Sequence, residues 1–81
     1  MYYCYILKSL INSNYYIGST ANLQKRLEMH NTKKVKSTTH NVPWQIVYYE
    51  AFRTLSGARK RESQIKRWKS RAAIERLINK I

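Results

Sequence analysis

The chain has 81 residues, with 16 Lys and Arg against four acids, all Glu, for a formal charge of +12, and 43% of its residues are apolar. That suffices for one small domain spanning 1–81 and excludes a second. A single cysteine, Cys4, rules out an internal disulfide framework, one Cys with two separated His falls short of a four-ligand zinc site, and no apolar run approaches the roughly 18 residues of a membrane span. A reduced, cytoplasmic protein with no membrane partner is expected. The charge exceeds the magnitude of about 2 to 8 that solubility asks of a small domain, so it points to a polyanion, with nucleic acid leading. Ten of the 16 basic residues lie from Arg53 onward, which makes the C-terminal third the more positive end.

Tyr2 to Lys8 is rich in strand formers, Ser9 to Asn14 is mostly loop-forming, and Tyr15-Tyr16-Ile17 is strand-like again, ending at Gly18; this predicts a β-hairpin. Leu23 and Leu27 repeat at helical spacing between Asn22 and Asn31, with Ser19, Thr20 or Asn22 as the N-cap and Asn31 as a stop. Thr32 to Pro43 is polar and aperiodic, so a long functional or mobile loop is expected. Trp44 to Phe52 predicts a third strand, Leu55 to Lys69 a basic helix, and Ser70 to Ile81 an amphipathic one with Ala73, Ile74, Leu77, Ile78 and Ile81 on one side. The order ββαβαα predicts an α+β domain, helices packed on a small, largely antiparallel sheet.

Helical geometry singles out three polar residues. At 100° per residue Arg26 and His30 fall side by side at the edge of the Leu23/Leu27 stripe, and Glu62 falls between Ala58 and Ile65 on the face that should meet the protein. Each has an ordinary explanation: an arginine whose stem covers the helix edge, a histidine that caps or packs, and a glutamate paired with Lys66 at i,i+4. Their convergence beside tyrosine-dense strands raises the odds of a site.

Tyr5 lies eleven residues before Tyr16, which opens Tyr16-Ile17-Gly18, followed by Arg26-Leu27, His30-Asn31 and the later run Arg61 to Trp68 containing Glu62. Over nearly its whole length the chain resembles the GIY-YIG nuclease family, and within it the small, stand-alone bacterial proteins. The first triplet here is Tyr3-Cys4-Tyr5, which keeps only its final Tyr. The resemblance implies a three-stranded antiparallel sheet flanked by three helices, and hydrolysis of a nucleic-acid phosphodiester with one divalent ion, Mg²⁺ or Mn²⁺. It maps the functional positions onto Tyr5, Tyr16, Arg26, His30 and Glu62.

The residues fit that chemistry. With no Asp and only four scattered Glu, the chain cannot build the carboxylate cluster of a two-metal nuclease, but one Glu can hold one Mg²⁺ if water and substrate phosphate complete the shell. Glu62 takes that role. No carboxylate is left as base, so a phenol must activate water, and an ordinary Tyr with a pKa near 10 is only about 0.1% ionised at pH 7. Neighbouring cations are therefore expected to lower it. Tyr5 is assigned as the base and Tyr16 as its hydrogen-bonding or metal-water partner, roles that could be exchanged. Arg26 would stabilise the transition-state charge, His30 would orient the phosphate or assist proton transfer, and Gly18 would permit close backbone approach or a turn. Lys25, Lys33, Lys34, Lys36, Arg59, Lys60, Arg67 and Lys69 are read as a phosphate-binding surface without base selectivity. Tyr2, Tyr3, Tyr15, Trp44 and Trp68 are read as packing residues. DNA, including branched or damaged forms, is expected ahead of RNA, with any recruiting protein unidentified. A binding module that keeps the scaffold and cleaves little is the alternative.

Overall fold

The computed structural model describes residues 1–80. Ile81, assigned above to the apolar side of the last helix, lies outside the described residues. Three strands, β1 (Tyr2–Ser9), β2 (Tyr15–Thr20) and β3 (Trp44–Phe52), form one antiparallel sheet in the order β2-β1-β3. Helix α1 (Leu23–Asn31) follows the hairpin, and α2 (Leu55–Trp68) and α3 (Arg71–Ile78) close the chain. This is the ββαβαα order and the α+β class read from the sequence.

Helices pack on both faces of the sheet, α1 on one and α2 and α3 on the other, so successive residues of the central strand β1 feed different cores. Cys4 and Ile6 point to one face, where Ile17 of β2, Ile65 of α2, and Ile74 and Leu77 of α3 complete a cluster. Tyr5 and Leu7 point to the other, against Trp44, with Tyr16, Leu23, Leu27 and Ile46 around them. Each fully buried aliphatic side chain contributes about 1.5–3 kcal/mol, so a one-residue slip of β1 would forfeit both clusters at once. In β3 the pairing slips between Ile6 and Leu7: Ile6 faces Tyr48 and Leu7 faces Ile46, which leaves Val47 as an extra, bulged residue.

The helix ends follow their capping residues. Asn22 caps α1 by accepting from the Lys25 N–H, Thr54 caps α2 through the Gly57 N–H, and Ser70 caps α3 through the Ala73 N–H. Lys69, expected as the last residue of α2, instead takes a left-handed conformation that turns the chain into α3.

The segment expected to be a long functional or mobile loop contains a short helical turn. Lys36–Asn41 forms a 3-10 turn whose Thr38 is fully buried. It is held from three sides: the Trp44 indole N–H donates to the Thr38 carbonyl at 3.0 Å, the Ser9 hydroxyl donates to the Asn41 carbonyl at 2.8 Å, and the Asn31 side chain brackets the Trp44 backbone from both its N–H and its C=O. Asn31, read as a helix stop, is thus also the clamp that starts β3.

Cys4 is 1% exposed, and burial, followed by the fields of Glu50 and Glu62, pushes its thiol pKa up to about 12. An alkylating thiol reagent should therefore leave the native protein untouched near pH 8 and modify it only through unfolding. Labelling followed by mass spectrometry should track the denaturant-unfolding curve; rapid labelling in the absence of denaturant would show that this core opens locally.

Candidate active site

Tyr5 sits mid-strand in β1, and its ring crosses toward the neighbouring edge strand β2, where it lies against Gly18, its register partner. A Cβ at Gly18 would stand 2.6 Å from the Tyr5 hydroxyl and 2.8 Å from Cζ, so only glycine lets the phenol lie on the strand backbone. The glycine serves close approach; it is mid-pairing in β2 and not at a strand-to-helix turn.

Helix α1 delivers two further groups to the same hydroxyl. Arg26 Nε donates to Tyr5 Oη at 3.4 Å, and His30 Nε2 lies 3.0 Å from Oη on the other side. The sense of the second bond follows from what lies behind the imidazole. Thr38 Oγ1 is 3.1 Å from the Val35 carbonyl, which can only accept, so the threonine hydroxyl donates there. Its oxygen therefore accepts from His30 Nδ1–H at 2.9 Å, Nε2 carries no proton, and the Tyr5 O–H donates to it. One directional chain results, from Arg26 through Tyr5, His30 and Thr38 to Val35.

Burial and the charge of Arg26 lower the His30 pKa to about 4, which keeps the ring neutral, as this chain requires. For Tyr5, burial outweighs the hydrogen bond and charge of Arg26 and pushes the hydroxyl up to about 12. The expectation that cations lower the phenol is corrected here: the desolvation of a side chain only 2% exposed wins. His30, expected to orient phosphate or assist proton transfer, is 0% exposed and has no direct access to a phosphate at the surface. Arg26 is half-buried, and its pKa is held above the ordinary value chiefly by the Tyr5 hydrogen bond. Tyr16 packs edge-on to His30 with ring centroids 4.9 Å apart, and tilted to Tyr5 at 6.4 Å.

Glu62 approaches from the opposite face. Its Oε1 accepts from the Ser19 hydroxyl at 2.7 Å, and its Oε2 pairs with Lys66 Nζ at 2.6 Å. Ser19 follows Gly18 along the edge strand, so phenol and carboxylate flank consecutive residues of β2, and the carboxylate is close enough to add to the rise in the Tyr5 pKa. Among the described residues no three His, Cys, Asp or Glu side chains gather as a ready metal cage. A single hard carboxylate beside a hydroxyl is nonetheless a fitting donor set for a water-rich Mg²⁺ shell.

Comparison with known proteins decides the family. The pattern described as the GIY-YIG catalytic domain matches residues 1–77. The chain belongs to the GIY-YIG family. It is 42% identical over 78 residues to a UPF0213 protein of Syntrophus aciditrophicus, covering 94% of this chain and 87% of that one. A UPF0213 protein of Streptococcus pyogenes serotype M3 is 35% identical over 71 residues, covering 86% and 76%. The solution NMR structure of the UPF0213 protein BH0048 from Bacillus halodurans superposes with a TM-score of 0.58 at 30% identity, covering 96% of this chain and 83% of that one. The UPF0213 names carry no activity; the GIY-YIG domain itself is of the nuclease type and implies nucleic-acid binding.

Within this GIY-YIG fold the basic residues divide. Lys25, Lys33, Lys34 and Lys36 lie on α1 and the segment after it, on the Tyr5 face, whereas Arg59, Lys60, Arg67 and Lys69 lie on or just after α2, on the Glu62 face; all eight are exposed. Arg59, Lys60 and Arg67 line an open groove with Phe52, Leu55 and Arg61 along α2. Trp44 and Trp68 pack as expected, the first in the Tyr5 cluster, the second beside the Ile65 cluster under the Arg61 guanidinium. Tyr15 packs too and donates to Glu75 at 3.1 Å. Two polar members escaped the sequence reading. Thr38 stands in a run of Ser and Thr that offers no signal, while Ser19 shares the face of Ile17 by strand alternation and was findable.

Two outcomes test this geometry. Gly18→Ala should cost about 1–3 kcal/mol in denaturant unfolding, because the Tyr5 ring is fixed on its other sides and cannot retreat freely. The folded His30 pKa lies below the unfolded value, so the unfolded chain binds the proton first and stability is complete above about pH 6.5 and lost as pH falls toward 4, by about 3 kcal/mol. The stability advantage of wild type over His30→Gln should shrink by that order across this window; a constant difference would mean the ring is not held neutral.

Proposed function

We propose that the protein is a metal-dependent endonuclease that hydrolyses DNA phosphodiesters at the edge of β2, with Tyr5 passing the proton of the attacking water to His30. The observation that carries this reading is the directional chain from Arg26 to Val35. Burial holds the Tyr5 hydroxyl up at about 12 and the His30 imidazole down at about 4, so both groups start neutral. The step that never leaves a free phenolate moves two protons together: water gives one to Tyr5 Oη while the Tyr5 O–H gives its own to His30 Nε2. The hydroxide so formed bonds to phosphorus, the bond to the leaving oxygen breaks, solvent water protonates that oxygen, and the hydroxide left in solvent takes back the His30 proton through Tyr5, which restores the neutral pair.

Arg26 spends one donor, Nε–H, on Tyr5 and keeps the remaining guanidinium donors for a phosphoryl oxygen, where charge grows in the transition state. Tyr16, more exposed than Tyr5 and beside the same imidazole, would hydrogen-bond incoming water. Glu62 would hold the divalent ion, Mg²⁺ or Mn²⁺, which when bound supplies Lewis-acid polarisation of the phosphoryl group and its water. The basic residues on both faces supply the salt-sensitive hold on the backbone.

One feature favours the alternative of a binding module: both Glu62 oxygens are engaged. The Lys66 end is half exposed, however, and such an i,i+4 pair is worth only about 0.5 kcal/mol, a small obstacle to a divalent ion.

Incubated with Mg²⁺ or Mn²⁺, the protein should nick DNA, and a chelator should stop it. Tyr5→Phe should slow cutting by about 10²–10⁴-fold and Glu62→Gln should abolish it, with binding to labelled DNA in chelator retained by both. Binding without cutting under either metal would leave the binding module as the function.

A further inference from the structure

The α1 side of the sheet is covered over only half its length. Tyr16, Leu7, Ile46 and Trp44 lie under α1 and the 3-10 turn, but toward the start of β1 the same face carries Tyr3 and Tyr49, which join neither core cluster. Tyr3 was read as a packing residue; the structure corrects this. Tyr49 is 55% exposed, Tyr3 is half-buried, and the two rings meet edge to face at 5.8 Å. Their neighbours are low: Ala51, opposite Tyr3 on β3, is small and exposed, and Thr20 flanks it on β2.

We propose that Tyr3 and Tyr49 form a stacking subsite for an unpaired base of the nucleic acid whose phosphate lies at Tyr5, a proposal that rests on the nuclease reading for its position. Tyr49 is the direct register partner of Tyr5, and Tyr3 is two residues away on the same strand and face, roughly 7 Å along it. The subsite is therefore continuous with the proposed catalytic phenol and within the span of a nucleotide. Base stacking on exposed tyrosines needs an open π-face, which a paired duplex keeps inside its own stack and an unpaired strand presents. The alternative occupant, a second copy of this chain, must bring a second +12 charge against the first, whereas a polyanion is attracted.

The test is equilibrium binding in chelator, where no cutting occurs, using a labelled single strand, the same strand in a duplex, and the same strand with abasic sites. Tyr49→Ala should weaken the single strand about tenfold or more, leave the duplex and the abasic strand within about twofold, and Tyr49→Phe should bind as wild type. The Tyr49 ring should also shift in NMR spectra of wild type on addition of the single strand, a readout that does not depend on a variant folding. Equal losses on all three ligands, no loss on the single strand, an unshifted ring, or a concentration-dependent dimer broken by Tyr49→Ala would each overturn the subsite. Because cutting is silent in this assay, these outcomes stand apart from whether Glu62→Gln abolishes cleavage.

Discussion

The Val35 carbonyl determines the direction of the bonds that run from Tyr5 through His30 to Thr38. It can only accept, so Thr38 must give it a proton, His30 must give one to Thr38, and Tyr5 must give one to His30. The described residues contain no buried side-chain polar atom without a partner. The 3-10 turn that carries Thr38 is in turn tied to the hairpin by Ser9 and to β3 by Trp44, so the hydrogen-bond geometry at Tyr5 depends on contacts remote from its hydroxyl.

The same burial that orders the chain sets its electrostatics. Desolvation raises the phenol and lowers the imidazole, which keeps both neutral at pH 7. Glu62 is kept out of this apolar pocket by the sheet itself, approaching β2 from the other face through Ser19. The carboxylate and the phenol are thus held apart by one strand thickness, on either side of Gly18 and Ser19.

Much of this could be read from the residues. Strand and helix positions followed from alternation, helical spacing and caps, and the family resemblance picked out Tyr5, Tyr16, Arg26, His30 and Glu62. Helical angles correctly put Arg26 and His30 side by side. They could not show that one is half-buried and the other sealed, because that depends on the 3-10 turn folding over α1, and a run of Lys, Ser and Thr carries no hydrophobic period to announce it. The rise of the Tyr5 pKa was equally hidden: composition displays the cations, while the depth of the pocket that outweighs them is a property of packing. The separation of the basic residues onto two faces needed the sheet order, which charge counts do not contain.

Val47, the extra residue in β3, has an effect that extends to both ends of its strand. Before it, even-numbered side chains such as Trp44 and Ile46 look toward α1; after it, odd-numbered ones such as Tyr49 and Ala51 do. One added amino acid thus changes the phase of the strand halfway along, so that the indole bracing the relay and the tyrosine beside Tyr5 emerge on the same side. Strict two-residue alternation from Trp44 would have sent Tyr49 through to the α2 side, away from Tyr3 and Tyr5.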